Sequence, residues 1–194
     1  MSLLFETIKV FDKKAYNLKY HQIRMQKSIK RIFNKKRSFN LQKLITPPSR
    51  DFYRCKIIYS DKIEDISFYE YYPRKIESFK LIKSDIEYNY KFLNREEIDE
   101  LFLQRGSCDE IIIVRNGKIT DTSIANIAFF DSRRWITPKS PLLKGTTRAR
   151  LLEKKKILAR DIYIEEIKFM EKIAVMNALI GFKIINNFKI ERGY

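Results

Sequence analysis

Three groups of residues could do chemistry together: Lys91 in Lys91-Phe-Leu-Asn-Arg95, Asp121 in Asp121-Thr-Ser-Ile-Ala-Asn126, and the two threonines of Gly145-Thr-Thr-Arg148. A lysine that has lost its proton can condense with an aldehyde. A carboxylate can hold a pyridine-type nitrogen protonated, and a helix start with free amides and hydroxyls can take a phosphate dianion. The set therefore suits a ligand carrying an aldehyde, an aromatic nitrogen and a phosphate. Each residue also has an ordinary structural role. Lysines are mostly solvated, a strand-end Asp caps its own turn, and threonine caps helices. Lys91 stands apart from Lys80 and Lys83 because Tyr88, Tyr90, Phe92 and Leu93 flank it, and apolar surroundings lower the pKa of an amine.

The elements that must position these groups follow from periodicity and punctuation. Residues 5–11 have strand composition, with a turn at 12–14, and residues 18–33 read as a helix with Ile23, Met25, Ile29, Ile32 and Phe33 on one stripe. Thr46-Pro-Pro-Ser49 breaks the pattern. Residues 52–59 and 66–72 are predicted as paired strands turning near 60–62. A second helix is predicted from an Asn94 N-cap, with Glu97 in capping-box position and Gly106 at its end. Residues 110–114 and 127–130 are predicted strands around an Asn116-Gly117 turn. Residues 137–141 read as loop, 145–158 as helix, and 162–164, 174–177 and 182–185 as closing strands. A lobe boundary is expected between 84 and 92, which would put Lys91 at an interface, where ligand sites tend to form.

Bulk composition narrows the classes. A chain of 194 residues, 44% hydrophobic, can bury a sizeable core. No run of 18 apolar residues occurs, and Glu6 and Lys9 interrupt any signal-type start, so the reading is a cytoplasmic protein with no membrane partner. Two cysteines without a CxxC pair, and one histidine, support neither a disulfide framework nor a metal site. The net charge of +16 raises the question of nucleic acid. Its clusters, 27–37 and 154–156, fall where apolar residues would form helix stripes with lysines outside, so they read as solvated faces and no nucleic-acid partner is expected.

Seven ordered motifs resemble the class IV (fold type IV) pyridoxal-phosphate enzymes: Lys91-Phe-Leu-Asn-Arg95, Asp109-Glu-Ile-Ile-Ile-Val114, Asn116-Gly117, Thr120-Asp-Thr-Ser-Ile-Ala-Asn126, Trp135-Ile-Thr-Pro138, Leu143-Lys-Gly-Thr-Thr-Arg148 and Met176-Asn-Ala-Leu179. Phe5-Glu-Thr-Ile8 and His21-Gln-Ile-Arg24 extend the likeness to the N-terminal part. The resemblance implies an α+β, two-lobed fold of the D-amino-acid aminotransferase type. Residues 1–90 would form a small α/β lobe and residues 91–194 a β-barrel-like α/β lobe holding most contacts to pyridoxal 5'-phosphate. It implies that Lys91 binds the cofactor aldehyde and moves the proton, and that Asp121 stands where the family usually has glutamate at the pyridine nitrogen. Arg24, Thr146, Thr147, Asn177 and Ala178 would face the phosphate, and Arg54 and Glu6 the substrate. The chain is expected to lack a family strand before Phe5 and to form a homodimer.

Within the family the motifs look most like 4-amino-4-deoxychorismate lyase, which releases pyruvate and 4-aminobenzoate for folate synthesis. The alternatives are an aminotransferase acting on a branched-chain or D-amino acid, towards which Phe5-Glu6-Thr7 leans, and a non-catalytic basic binding protein on the same fold. In the first two readings the ligand is a small-molecule amino substrate.

Overall fold

A computed structural model describes residues 2–193. The chain divides into two units, 1–73 with 90–94 and 74–89 with 95–194. In the first, β1 (Leu4–Phe11), β2 (Lys14–Ala15), β3 (Tyr53–Tyr59) and β4 (Ile63–Glu70) form an antiparallel sheet in the order β2-β1-β3-β4. The β1–β2 turn places Asp12 and Lys13 at φ 48° and 57°, the left-handed pair that matches the twist of a tight hairpin. Alternation along β1 sends Leu4, Glu6, Ile8 and Val10 to the inner face. There they meet α1 (Leu18–Phe33), whose buried stripe is His21, Met25, Ser28 and Ile29. The helix matches the expected bounds, but Ile23 is exposed while His21 is wholly buried, because period 3.6 from Met25 selects 21 and 28–29 rather than 23. Each fully buried Leu, Ile or Met here contributes about 1.5–3 kcal/mol. A short α2 (Leu41–Leu44), capped by the Asn40 side chain, completes the layer.

Residues 90–94 join this unit by backbone pairing. The Phe5 amide donates to the Lys91 carbonyl at 2.9 Å, the Leu93 amide to Leu3 at 2.9 Å, and Leu4 bridges Phe92. The division expected after residue 90 therefore falls elsewhere. Ladder hydrogen bonds, invisible in local sequence, carry Lys91 to the edge of β1, while 74–89 belong to the second unit.

The second unit contains β5 (Ser78–Lys83), α3 (Glu96–Leu103), β6 (Glu110–Arg115), β7 (Lys118–Thr122), β8 (Asn126–Phe130), β9 (Trp135–Pro138), α4 (Thr146–Glu153), β10 (Leu158–Arg160), a 3-10 turn (Ile164–Phe169), β11 (Lys172–Asn177), β12 (Gly181–Ile185) and β13 (Lys189–Arg192). The sheet runs β10-β9-β8-β7-β6-β5-β13, and β11 branches from β8 to pair with β12. Its core gathers Phe79, Leu81, Ile112, Ile127, Phe129, Ile162, Ile173 and Val175. The β6–β7 hairpin turns on Asn116 and Gly117 at φ 51° and 73°, where the turn was expected, but the returning strand is 118–122 rather than 127–130.

Four expectations are corrected. α3 is capped at Arg95 without a side-chain bond, so Asn94 is not its N-cap. α4 ends at Glu153, and Lys155 at φ 53° turns the chain so that Leu158 pairs in parallel with Ile136. Lysines 154–156 are thus a turn rather than a helix face. Thr137 and Pro138 end a strand, and 162–164 lead into the 3-10 turn instead of forming a strand. No helix among the described residues is long and apolar enough to cross a membrane.

Candidate active site

In the second unit two hydrogen-bonded sets, one on Asp121 and one on Asn177, meet at the β7–β8 loop. Asp121 stands opposite Asn126 across the strand pair. The Asn126 side-chain amide donates to the Asp121 Oδ1 at 2.7 Å and to the Leu143 carbonyl at 2.8 Å, and the Leu143 amide donates to Asp121 Oδ2 at 2.9 Å. Burial is the largest influence on Asp121 and raises its pKa to about 7, against the hydrogen bonds and the field of Arg148. Gly145 is required by this packing, since a Cβ there would lie 2.0 Å from Asn126 Oδ1.

Gly145 is also the N-cap of α4, which has no side-chain cap, and Thr146 and Thr147 are buried in its first turn. The Thr147 hydroxyl donates to the Asn177 carbonyl at 2.9 Å. Asn177 in turn donates to the Ile124 carbonyl at 3.3 Å, and its Oδ1 accepts from the Leu179 and Ile180 amides at 2.9 and 3.0 Å. The β7–β8 loop, the start of α4 and the β11–β12 turn carrying Ala178 are thereby tied together. Neither threonine is an N-cap, so the helix-start amides are left for a ligand.

In the first unit Glu6 lies wholly buried on the inner face of β1. Arg24 grips it with Nε to Oε1 at 2.8 Å and Nη2 to Oε2 at 2.5 Å, and His21 Nδ1 lies 2.6 Å from Oε2. Burial opposes ionisation of Glu6, but Arg24 and His21 outweigh it and hold the carboxyl at about 2. Burial lowers the pKa of His21, against the pull of Glu6. Glu6, expected beside the substrate, is instead inside the unit, where it orients Arg24.

Lys91 and Arg54 lie on the other face of the same sheet. The ammonium of Lys91 sits 4.2 Å from the Phe5 ring centroid, and the Arg54 guanidinium is 5.0 Å from that of Tyr69. Glu6, Arg24 and Arg54 thus divide between two faces of one sheet, while Thr147 and Asn177 are bonded to each other and Asp121 to Asn126. The sequence assigned no role to Arg148 or Glu110. Arg148 is 6% exposed, donates to the Pro138 carbonyl at 2.7 Å and leaves its buried Nε without a hydrogen-bond partner. Glu110 accepts from the Ser123 amide at 3.3 Å and pairs with Arg74 at 3.0 Å, bracing the β7–β8 loop. Only their place in the quoted motifs hinted at them.

These residues fit pyridoxal phosphate. The buried Asp121 carboxylate, when ionised, keeps accepting capacity beyond its two hydrogen bonds, and the start of α4 is uncapped by any side chain. The class IV amino-transferase family model matches residues 89–188. An uncharacterized protein of Haemophilus influenzae is 40% identical over 184 residues, 92% of this chain and 98% of that protein. The crystal structure of a provisionally assigned 4-amino-4-deoxychorismate lyase from Haemophilus somnus 129PT superposes with a TM-score of 0.87 at 39% identity, covering 93% of this chain and 98% of that one. A hypothetical aminotransferase from Mycobacterium tuberculosis in its PLP-bound form shares the fold, with a TM-score of 0.79 at 16% identity, over 97% of this chain and 81% of that one.

The chain belongs to the class IV aminotransferase family of fold type IV enzymes. It is an enzyme of that class, and pyridoxal phosphate is its cofactor.

Proposed function

We propose that this enzyme is a 4-amino-4-deoxychorismate lyase, cleaving its substrate to pyruvate and 4-aminobenzoate in the cytoplasm as a homodimer. The observation that carries the reading is the 39% identity, across nearly the whole of both chains, to the Haemophilus somnus protein provisionally assigned that activity. Lys91 would hold the cofactor aldehyde and move the proton. Asp121 would hold the pyridine nitrogen, and Thr146, Thr147, Asn177, Ala178 and Arg24 the phosphate, with Glu6 fixing Arg24 in place.

Bound pyridoxal phosphate supplies an electron sink that makes the C–H beside the substrate amine acidic. Lys91 Nζ takes that proton. The electron pair left behind expels the neighbouring enolpyruvyl oxygen, the ring becomes aromatic, and the released enolpyruvate gains a proton on its methylene carbon to become pyruvate. No second substrate is consumed, which separates this reaction from transamination.

The test is incubation of the cofactor-loaded protein with 4-amino-4-deoxychorismate and no keto acid, following pyruvate and 4-aminobenzoate. Equimolar release is expected. Turnover only when an amino donor and a keto acid are both present would instead assign an aminotransferase. Lys91→Ala should lose both the turnover and the borohydride-fixed cofactor while keeping a native circular dichroism spectrum.

A further inference from the structure

On the face of the first unit's sheet that carries Lys91, a second cation lies beside the reacting amine. Lys56, on β3, places its ammonium 5.7 Å from the centroid of the same Phe5 ring that Lys91 approaches at 4.2 Å. Arg54 is two residues away on that strand and therefore points to the same side. Its guanidinium lies over Tyr69, its cross-strand partner on β4, and its Nε is buried without a hydrogen-bond partner. Lys9 stands opposite Arg54 on β1, but its head is drawn among other rings, 4.9 Å from that of Phe52 and 5.4 Å from that of Tyr16. Asp65, a carboxylate on this face, stands opposite Ile58 and accepts the hydroxyl of Ser67, the residue opposite Lys56.

We propose that Arg54 and Lys56 form a two-position carboxylate site on the face of Lys91, which selects amino substrates bearing two carboxylates. Adjacent like charges on one strand face repel each other, and an anion placed between them removes that cost. Alternate residues of a strand are roughly 7 Å apart, a span that two carboxylates on one small ring compound can bridge. The two cations differ in the geometry they offer. Arg54 presents a planar fork, stacked on Tyr69, that matches one carboxylate bidentately, and Lys56 supplies a point charge held near Phe5. 4-Amino-4-deoxychorismate is such a diacid, with one carboxylate on the ring and one on the enolpyruvyl ether. This inference rests on the reading that Lys91 is the reacting amine, and it extends that reading to the substrate class.

The experiment titrates the cofactor-loaded protein calorimetrically with two unreactive probes, isophthalate and benzoate. The wild type should bind isophthalate at least tenfold more tightly than benzoate, with a preference that shrinks as salt is raised. Lys56→Met should cut that preference to about threefold or less, and Arg54→Met should weaken both probes. Lys56→Gln serves if the methionine variant fails to fold. In the lyase assay Lys56→Met should raise KM at least tenfold with kcat changed less than threefold. An unchanged isophthalate preference in both Lys56 variants, or no preference in the wild type, overturns the proposal. A retained diacid preference in a protein that releases no pyruvate would overturn the lyase assignment and leave this site standing.

Discussion

Asp121→Asn is the perturbation that most directly probes the buried acid. Burial raises the folded-state pKa from 3.8 to about 7, roughly 3 units, or at most about 4 kcal/mol at 1.36 kcal/mol per unit. The folded chain then keeps a proton that the unfolded chain has lost across roughly pH 4 to 7, so wild-type stability falls as pH rises through that window and levels off above it. Asparagine cannot titrate. Both oxygens of Asp121 accept from donors, the Asn126 amide and the Leu143 N–H, so the variant must set its own NH2 against one of them, at about 1–3 kcal/mol. Urea unfolding of the cofactor-free protein at half-unit steps from pH 4.5 to 7.5 measures both effects. The wild type's stability advantage over the variant should shrink by about 2–4 kcal/mol across the range. With cofactor bound, the variant should still load but turn over at least tenfold more slowly, about 1.4 kcal/mol. Parallel stability profiles for the two proteins would refute the account of a desolvated acid.

The remaining predictions concern the scaffold of each unit. Glu6→Gln leaves the Arg24 charge without its carboxylate and should cost about 3 kcal/mol near pH 7 by urea unfolding. Because Glu6 is held at about 2 against 4.5, its contribution is complete above pH 4.5 and lost as pH falls towards 2, so the two proteins should converge in acid. An undiminished gap at pH 2.5 would contradict this. Gly145→Ala pushes a Cβ into Asn126 Oδ1, and should cost about 1–3 kcal/mol and weaken cofactor binding in a fluorescence titration. A variant with wild-type stability and affinity would mean that the loop yields without releasing Asp121.

The helix, the turn and the family were legible because their signals are local or ordered along the chain. The bounds of α1 followed from helical periodicity, the β6–β7 turn from Asn116-Gly117, and the family from seven motifs in order. Signals that depend on partners distant in sequence were not legible. Leu158 reads as the last turn of a helix, yet a left-handed Lys155 and pairing with Ile136 make it a strand. Lys91 reads as the start of the second lobe, yet its carbonyl accepts the Phe5 amide and ties it to the first. Glu6 reads as a substrate group, and the alternation of β1 turns it inward to Arg24 and His21.

The sequence by itself determined the family and the cofactor, because these depend on residue type and order. Tertiary structure alone decided that Asp121 is desolvated enough to titrate near neutrality, that Asn126 and Gly145 hold it, and that Lys56 and Arg54 share a face with Lys91. The physical reason is that burial, register and electric field are properties of neighbours brought together by folding, and none of them is carried by a residue alone.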